Sequence, residues 1–270
     1  MIYLKRFNLL SDYNEHNLMR AEERKIFNNV YPLHIFPLIE LESIAFKEIT
    51  IFYGGNGSGK STLLNIIASK LNAIRKSPIN KGAYFDLYVK MTDCEFSLDY
   101  PTEIKAITSD DVFDYLLDIR SINTNVNRRK ERLSMEYLNN KFKSEDNMEN
   151  YENIKNISDS KSKTMSEYIR ARLSNNNIIE QSNGESALLF WEKEIKENAI
   201  YILDEPENSL SAENQLKLKK FIEDSARFYN CQFIISTHSP FLLALEKWTN
   251  LKNVKLYYDF FKEKEKEFEE

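Results

Sequence analysis

The sequence predicts an α/β fold with a mixed sheet, interrupted by a helical insertion. Three observations predict it. Short apolar runs at Ile49–Tyr53, Ala199–Leu203 and Cys231–Ser236 have the continuous hydrophobicity of strands buried on both faces. Glycine-rich, acidic or polar turns follow these runs, and helical periodicity lies between them, the alternation from which parallel sheets are built. From Asp111 to Gln181 proline and glycine vanish, and charged residues interleave with Leu, Tyr and Met at helical spacing. The expectation is one domain over 1–270, with a core at 1–110 and 195–270 and a helical insertion at 111–194.

In chain order, Ile2–Leu10 reads as a strand and Ser11–Arg24 as a polar, charged stretch. Tyr31–Pro37 reads as an extended crossing, because each proline pushes its predecessor out of the helical region. Leu38–Phe46 and Ile49–Tyr53 read as strands, and Leu63, Leu64, Ile66, Ile67 and Leu71 mark a helix. Tyr84–Phe96 alternates as strands do. Within the insertion, Ser144–Lys163 is the least ordered part, and order returns at Lys163–Leu173 and Ser186–Lys196. Gln215–Arg227 reads as a helix, and the charge run Lys262–Glu270 as a fraying helix end. No internal repeat is visible.

Composition narrows the class. Apolar residues at 42% and charged residues at 29% suit a globular chain, and 270 residues can bury a core. A net charge of −5 argues against a surface that holds DNA unaided, although Arg128–Arg132 is a local basic run, a pattern more often a solvated helix face. Cys94 and Cys231 have no paired spacing and no histidine cluster, which disfavours disulfides and structural zinc. No signal-peptide core and no apolar run of roughly 20 residues is present, so the expected location is cytoplasmic, without direct membrane insertion.

Chemistry concentrates at three places. Gly54–Thr62 fits G-x-x-x-x-G-K-[ST] between a predicted strand and a predicted helix, the context that a phosphate loop needs. Glycines let backbone N–H groups turn toward phosphate, and the helix N-terminus adds favourable dipole charge. Chance would produce the pattern in about one chain in a hundred of this length. Of six glycines in the chain, four (Gly54, Gly55, Gly57, Gly59) lie here, which argues against a mere glycine-rich turn. Gly54, Asn56, Gly57, Ser58, Gly59, Lys60, Ser61 and Thr62 are the candidate nucleotide contacts. Lys60 supplies charge to the β- and γ-phosphates, and Ser61 a hydroxyl to Mg²⁺.

The second place is the apolar strand ending in Asp204-Glu205, broken by Pro206, which exposes both acids at a carboxyl edge. Asp204 is placed to order Mg²⁺ and Glu205 to polarise the attacking water; without Lys60 upstream a solvated strand end would be the better reading. The third is His238, 34 residues after Asp204 and at the end of another apolar strand. A lone histidine is ordinarily a satisfied imidazole, but this setting favours a hydrogen bond to the γ-phosphate or to the water. His16 and His34 have no such setting.

These elements in this order resemble the ABC-type ATPases, a group of P-loop NTPases. Asp204–Ser211 and Ser236–Phe241 resemble the branch holding SMC-like, recombination-repair and OLD-type ATPases rather than the membrane-transporter branch, which implies that the chain is a stand-alone AAA-type ATP-binding protein. The likeness covers Phe46–Leu71 and Gln181–Leu245 well and the middle poorly. It implies a signature loop at Ser182-Asn183-Gly184-Glu185-Ser186, departing from Ser-Gly-Gly-Gln, although Ser182 with Glu185 also reads as a helix capping box. It implies a homodimer packed head to tail around two ATP molecules, with Ser182 and Gly184 closing over the partner's γ-phosphate and Asn208–Ser211 crossing the seam. The family's glutamine at the core–insertion junction is missing from Ile107-Thr108-Ser109-Asp110-Asp111, where Ser109 or Asp110 is the substitute on offer.

The resulting expectation is a magnesium-dependent ATPase using Lys60, Glu205 and His238, with Ser61 and Asp204 at the metal. The first reading of its role is the motor of a DNA-related or anti-phage defence complex, nucleic acid being a possible ligand. It would work with a separate effector, since roughly 30 residues after His238 are too few for a fused nuclease of ordinary domain size. The alternatives are the cytoplasmic ATP-binding subunit of a membrane transporter, and a non-hydrolysing switch that dimerises on ATP.

Overall fold

β-Branched and aromatic side chains dominate the extended segments, as residues that fit a pleated, buried surface should. The computed structural model describes residues 1–21, 30–142, 151–173, 183–208 and 210–243. Strand β1 (Leu4–Asn8) leads to helix α1 (Asp12–Ala21), and a 3-10 turn (Pro37–Ile39) precedes β2 (Ser43–Ala45) and β3 (Ile49–Tyr53). Then come α2 (Lys60–Lys70), α3 (Phe85–Met91), β4 (Asp93–Phe96) and β5 (Glu103–Thr108). The helices α4 (Ser109–Lys141), α5 (Tyr151–Ser162), α6 (Met165–Arg172) and α7 (Asn183–Glu194) follow. The last elements are β6 (Ala199–Asp204), α8 (Ala212–Phe228), β7 (Gln232–Thr237) and α9 (Pro240–Leu243).

Antiparallel and parallel pairings are divided between two sheets. One is antiparallel, ordered β2-β1-β4, and the other is parallel, ordered β3-β7-β6-β5. Every residue of β7 is buried, as is every residue of β6 before Asp204, which explains their unbroken apolar sequences. Tyr53 pairs with Thr237, Ser236 with Asp204 and Asp204 with Thr108, so the four strands end nearly level. The chain therefore delivers the segments after β3, β5, β6 and β7 to one carboxyl edge.

Gln232 ties the two sheets together. Its Oε1 accepts the N–H groups of Tyr3 (3.0 Å) and Leu4 (2.8 Å), and its Nε2 donates to the carbonyls of Leu4 (2.8 Å) and Lys47 (3.0 Å). All the amide's hydrogen-bonding capacity is used, which is what lets a glutamine sit fully buried in a central strand.

The described chain forms two compact units, Met1–Phe113 with Asn183–Glu270, and Asp114–Ser182. The first holds both sheets around a core that includes Phe7, Phe52, Ile66, Phe85, Tyr88, Ile202 and Ile234. The second is helical. In it Leu133 and Tyr137 of α4 pack with Tyr168 of α6, whose ring meets that of Tyr137 edge-on at 5.4 Å. The Arg172 guanidinium lies 3.7 Å from the Tyr168 ring centroid and pairs with Asp159 at 3.0 Å. Among the described residues no helix is long and apolar enough to cross a membrane.

Several expected elements differ. Ser11–Arg24 contains α1, whose acidic first turn (Asp12, Glu15) and basic last turn (Arg20) complement the helix dipole. Within Leu38–Phe46 only Ser43–Ala45 is a strand, because Pro37 opens a 3-10 turn that leaves Leu38 exposed. Tyr84–Phe96 is mostly α3. Burying Tyr84, Phe85 and Tyr88 on one helical face, each contributing about 1.5–3 kcal/mol, outweighs the partial alternation. Strand β5 was not anticipated, since Glu103 and Lys105 interrupt its apolar pattern; Lys105 is neutralised by Glu194. The segment expected to be least ordered contains α5, with Ile157 and Ser160 buried. Residues 144–150 and Lys262–Glu270 lie outside the described residues.

Candidate active site

The loop between β3 and α2 turns by using glycine where other residues would be strained. Gly57 has φ +77° and Gly59 φ +90°, and Gly59 immediately precedes the first residue of α2, Lys60. A Cβ on Gly59 would lie 2.8 Å from the Ile35 side chain, and one on Gly54 would lie 2.7 Å from the Ser58 hydroxyl. The loop encloses a cavity of about 300 Å³, lined by residues 56–62 with Ile35 and Glu205. Lys60 is buried, and its Nζ donates to the carbonyls of Gly54 (2.8 Å) and Gly55 (3.2 Å). Burial pulls its pKa down, against the opposing charges of Glu205, Asp204 and Glu207.

Because β7 lies between β3 and β6, the late histidine and the acidic pair arrive beside this loop. Ser61 Oγ donates to Asp204 Oδ1 at 3.1 Å, and the same oxygen accepts a short hydrogen bond from the buried Ser236 hydroxyl. Glu205 adopts a left-handed conformation (φ +50°), held by its N–H to the Ser236 carbonyl at 3.0 Å. Its Oε2 accepts from Asn208 Nδ2 at 3.0 Å, and its Oε1 lies 3.3 Å from His238 Nε2. That ring nitrogen is buried and makes no aligned hydrogen bond with the described residues. The His238 ring meets Tyr53 edge-on at 6.5 Å.

A family model described as ABC transporter matches residues 42–208, more than half of the chain. The chain belongs to the ABC-type P-loop ATPases. A second model, described as AAA ATPase domain, matches residues 183–243 of this ATPase. Among curated proteins it is similar to the small ribosomal subunit biogenesis GTPase RsgA of Pediococcus pentosaceus, 27% identical over 145 residues, covering 48% of this chain and 47% of that protein. The ATPase thus spans about half the length of that curated relative. Among solved structures it is similar to a metal-chelate type ABC transporter in an inward-facing conformation. That match has 17% identity and a TM-score of 0.38, covering 90% of this chain and 76% of that one.

The structure brings Lys60, Ser61, Asp204, Glu205 and His238 of the ATPase to one place, with Gly54, Asn56, Gly57, Ser58, Gly59 and Thr62 in the loop beside them. Gly184 falls in the first turn of α7, and Ser182 lies outside the described residues. At the junction, Asp111 is engaged structurally. Its carboxylate accepts from the Thr108 N–H (2.8 Å) and the Ser77 hydroxyl (2.6 Å), fastening the start of α4. Ser109 is half-buried and Asp110 exposed.

Sequence reasoning gave no separate role to Ser236, Asn208 and Glu207, which hold the acidic pair and the histidine turn, or to Ile35, which walls the loop. Ser236, Asn208 and Glu207 stand inside the quoted motifs, so position was a signal. Ile35 carried none.

Proposed function

We propose that this chain binds ATP with Mg²⁺ at the Gly54–Thr62 loop and hydrolyses it in a head-to-tail dimer. The observation carrying this reading is the convergence of Lys60, Ser61, Asp204, Glu205 and His238 at one sheet edge. The residues fit the ligand. A side chain at Gly54 or Gly59 would crowd the Ser58 and Ile35 side chains, and the buried His238 Nε2 beside Glu205 makes no aligned hydrogen bond among the described residues. The Ser61 hydroxyl and Asp204 carboxylate are hard oxygen donors 3.1 Å apart and are the residues that would hold magnesium. When bound, Mg²⁺ supplies neutralisation of phosphate charge.

Lys60 leaves the carbonyls of Gly54 and Gly55 to meet the β- and γ-phosphates. Ser236 holds the Asp204 carboxylate in place. Glu205 takes the proton from the attacking water, while His238 hydrogen-bonds the water or the γ-phosphate. Asn208 fixes the second oxygen of Glu205 and so leaves the first to face the histidine. Positioning and charge neutralisation carry most of the barrier reduction. Ser182 and Gly184 of a second copy close the site, and Asn208–Ser211 crosses the seam. Glu205→Gln with saturating ATP and Mg²⁺ is expected to sediment at twice the monomer mass. A monomer under those conditions would remove the dimer from this account.

For the biological role we favour a motor subunit that acts on DNA or in anti-phage defence with a separately encoded effector, in the cytoplasm. The wording of Asp204–Ser211 and Ser236–Phe241 supports that branch. The family match described as ABC transporter favours a second reading, the ATP-binding subunit of a transporter. Proteins captured by Glu205→Gln decide between them: a nuclease or nucleic-acid partner supports the first, a membrane subunit the second.

A further inference from the structure

Glu207 is a buried carboxylate, 7% exposed, that the proposed reaction does not use. Its Oε1 accepts the backbone N–H of His238 at 2.6 Å and of Ser239 at 3.0 Å. Its Oε2 is buried and has no hydrogen-bond partner among the described residues. Burying a carboxylate in this way is unfavourable, and the two charge-assisted bonds, with the nearby positive charge of Lys60, offset it.

Capping of the short helix α9 does not explain the residue. The Ser239 hydroxyl already accepts from the N–H groups of Phe241 (3.2 Å) and Leu242 (3.3 Å). The Ser239 N–H has a second acceptor, Thr237 Oγ1 at 2.9 Å. What Glu207 alone supplies, among the described residues, is the acceptor for the His238 N–H.

Two tethers therefore join the loop after β6 to the end of β7 and the turn that follows it. The Glu205 N–H donates to the Ser236 carbonyl at 3.0 Å, two residues before the histidine, and the His238 N–H donates to Glu207, two residues after Glu205. Pro206 stiffens the link between the two glutamates. The backbones carrying Glu205 and His238 are fixed to each other on both sides of the 3.3 Å contact between their side chains.

We propose that Glu207 is a positioning residue for hydrolysis, holding the His238 turn so that the imidazole stays against Glu205. This inference rests on the reading that Glu205 and His238 orient the attacking water. Misplacement of a reacting group by about 1 Å can cost on the order of 100-fold in rate. A residue acting through His238 has an effect only while that side chain is present.

The test is a double-mutant cycle on steady-state ATP turnover by the full chain. Glu207→Ala is expected to lower kcat roughly 10- to 100-fold with KM within about twofold of wild type. Glu207→Gln keeps an oxygen that accepts both N–H groups and is expected to stay within about threefold of wild-type kcat. On a His238→Ala background, Glu207→Ala is expected to cost less than about threefold. If Glu207→Ala does not fold, Glu207→Asp, one methylene too short to reach the turn, makes the same comparison. An equal loss with and without His238, a shift in KM in place of kcat, or a Gln variant as poor as Ala would overturn the inference. An unchanged kcat for His238→Ala alone would instead sink the role given to the histidine.

Discussion

The two ends of the parallel sheet teach different lessons. At the amino end, between α7, α8 and the starts of β5 and β6, lies the larger cavity, about 700 Å³, walled by Ile195, Phe221 and Tyr229 with a polar rim. Backbone groups of its lining residues serve the fold: the Lys196 N–H donates to Tyr201 Oη (2.5 Å), whose hydroxyl donates to the Lys196 carbonyl (3.1 Å), and Thr102 Oγ1 donates to the Asn198 carbonyl (2.9 Å). The carboxyl end has a cavity of less than half that volume, about 300 Å³, lined by the buried Lys60 and the left-handed Glu205, with Asp204, Glu207 and His238 close by. Neither volume nor the number of charged groups separates the two ends; the buried lysine and the contacts among Ser61, Asp204, Glu205 and His238 do. Parallel strands direct the following helix N-terminus and the acidic turn to the same end, while the amino-end cavity carries Glu103, Glu192, Glu197 and Lys196 beside a left-handed Asn198.

Substitutions at the two ends should therefore separate cleanly. Lys60→Ala removes the one buried cation among the described residues and is expected to weaken ATP binding roughly 100-fold or more, read by direct nucleotide titration. Retained affinity would count against the loop as the grip. Ser236→Ala removes the hydroxyl that orients Asp204. It is expected to lower turnover about 10- to 100-fold and to raise the Mg²⁺ concentration needed for half-maximal rate. An unchanged magnesium dependence would confine Ser236 to packing. Tyr201→Phe at the amino end deletes a buried hydroxyl whose pKa burial pushes up to about 12. It should cost ~1 kcal/mol, lowering Tm by about 2–4 °C while leaving kcat within about twofold. A large loss of kcat there would break the contrast between the ends.

Legibility in the sequence followed the same contrast. The candidate nucleotide edge was readable because its chemistry is local: Gly54–Thr62, Asp204-Glu205 and His238 each sit at or just after the end of an apolar run that reads as a buried strand. Strand β5 was not, because Glu103 and Lys105 mask its pattern and the closer partner of Lys105, Glu194, is far away in sequence. Helix α3 was misread because a seven-residue helix with aromatic residues can imitate alternation. The contacts of Ser236 with Asp204 and of Glu207 with His238 cross between strands, and only the order β3-β7-β6-β5 brings them together.

Glu205 carries the greatest weight in the proposed reaction, since its carboxylate faces His238 on one oxygen and Asn208 on the other beside the loop. Phosphate release by Glu205→Gln, measured beside ATP affinity, tests this most directly. The expected result is affinity within about threefold of wild type and turnover lower by roughly 100-fold or more. Turnover equal to wild type, with ATP bound normally, would contradict it.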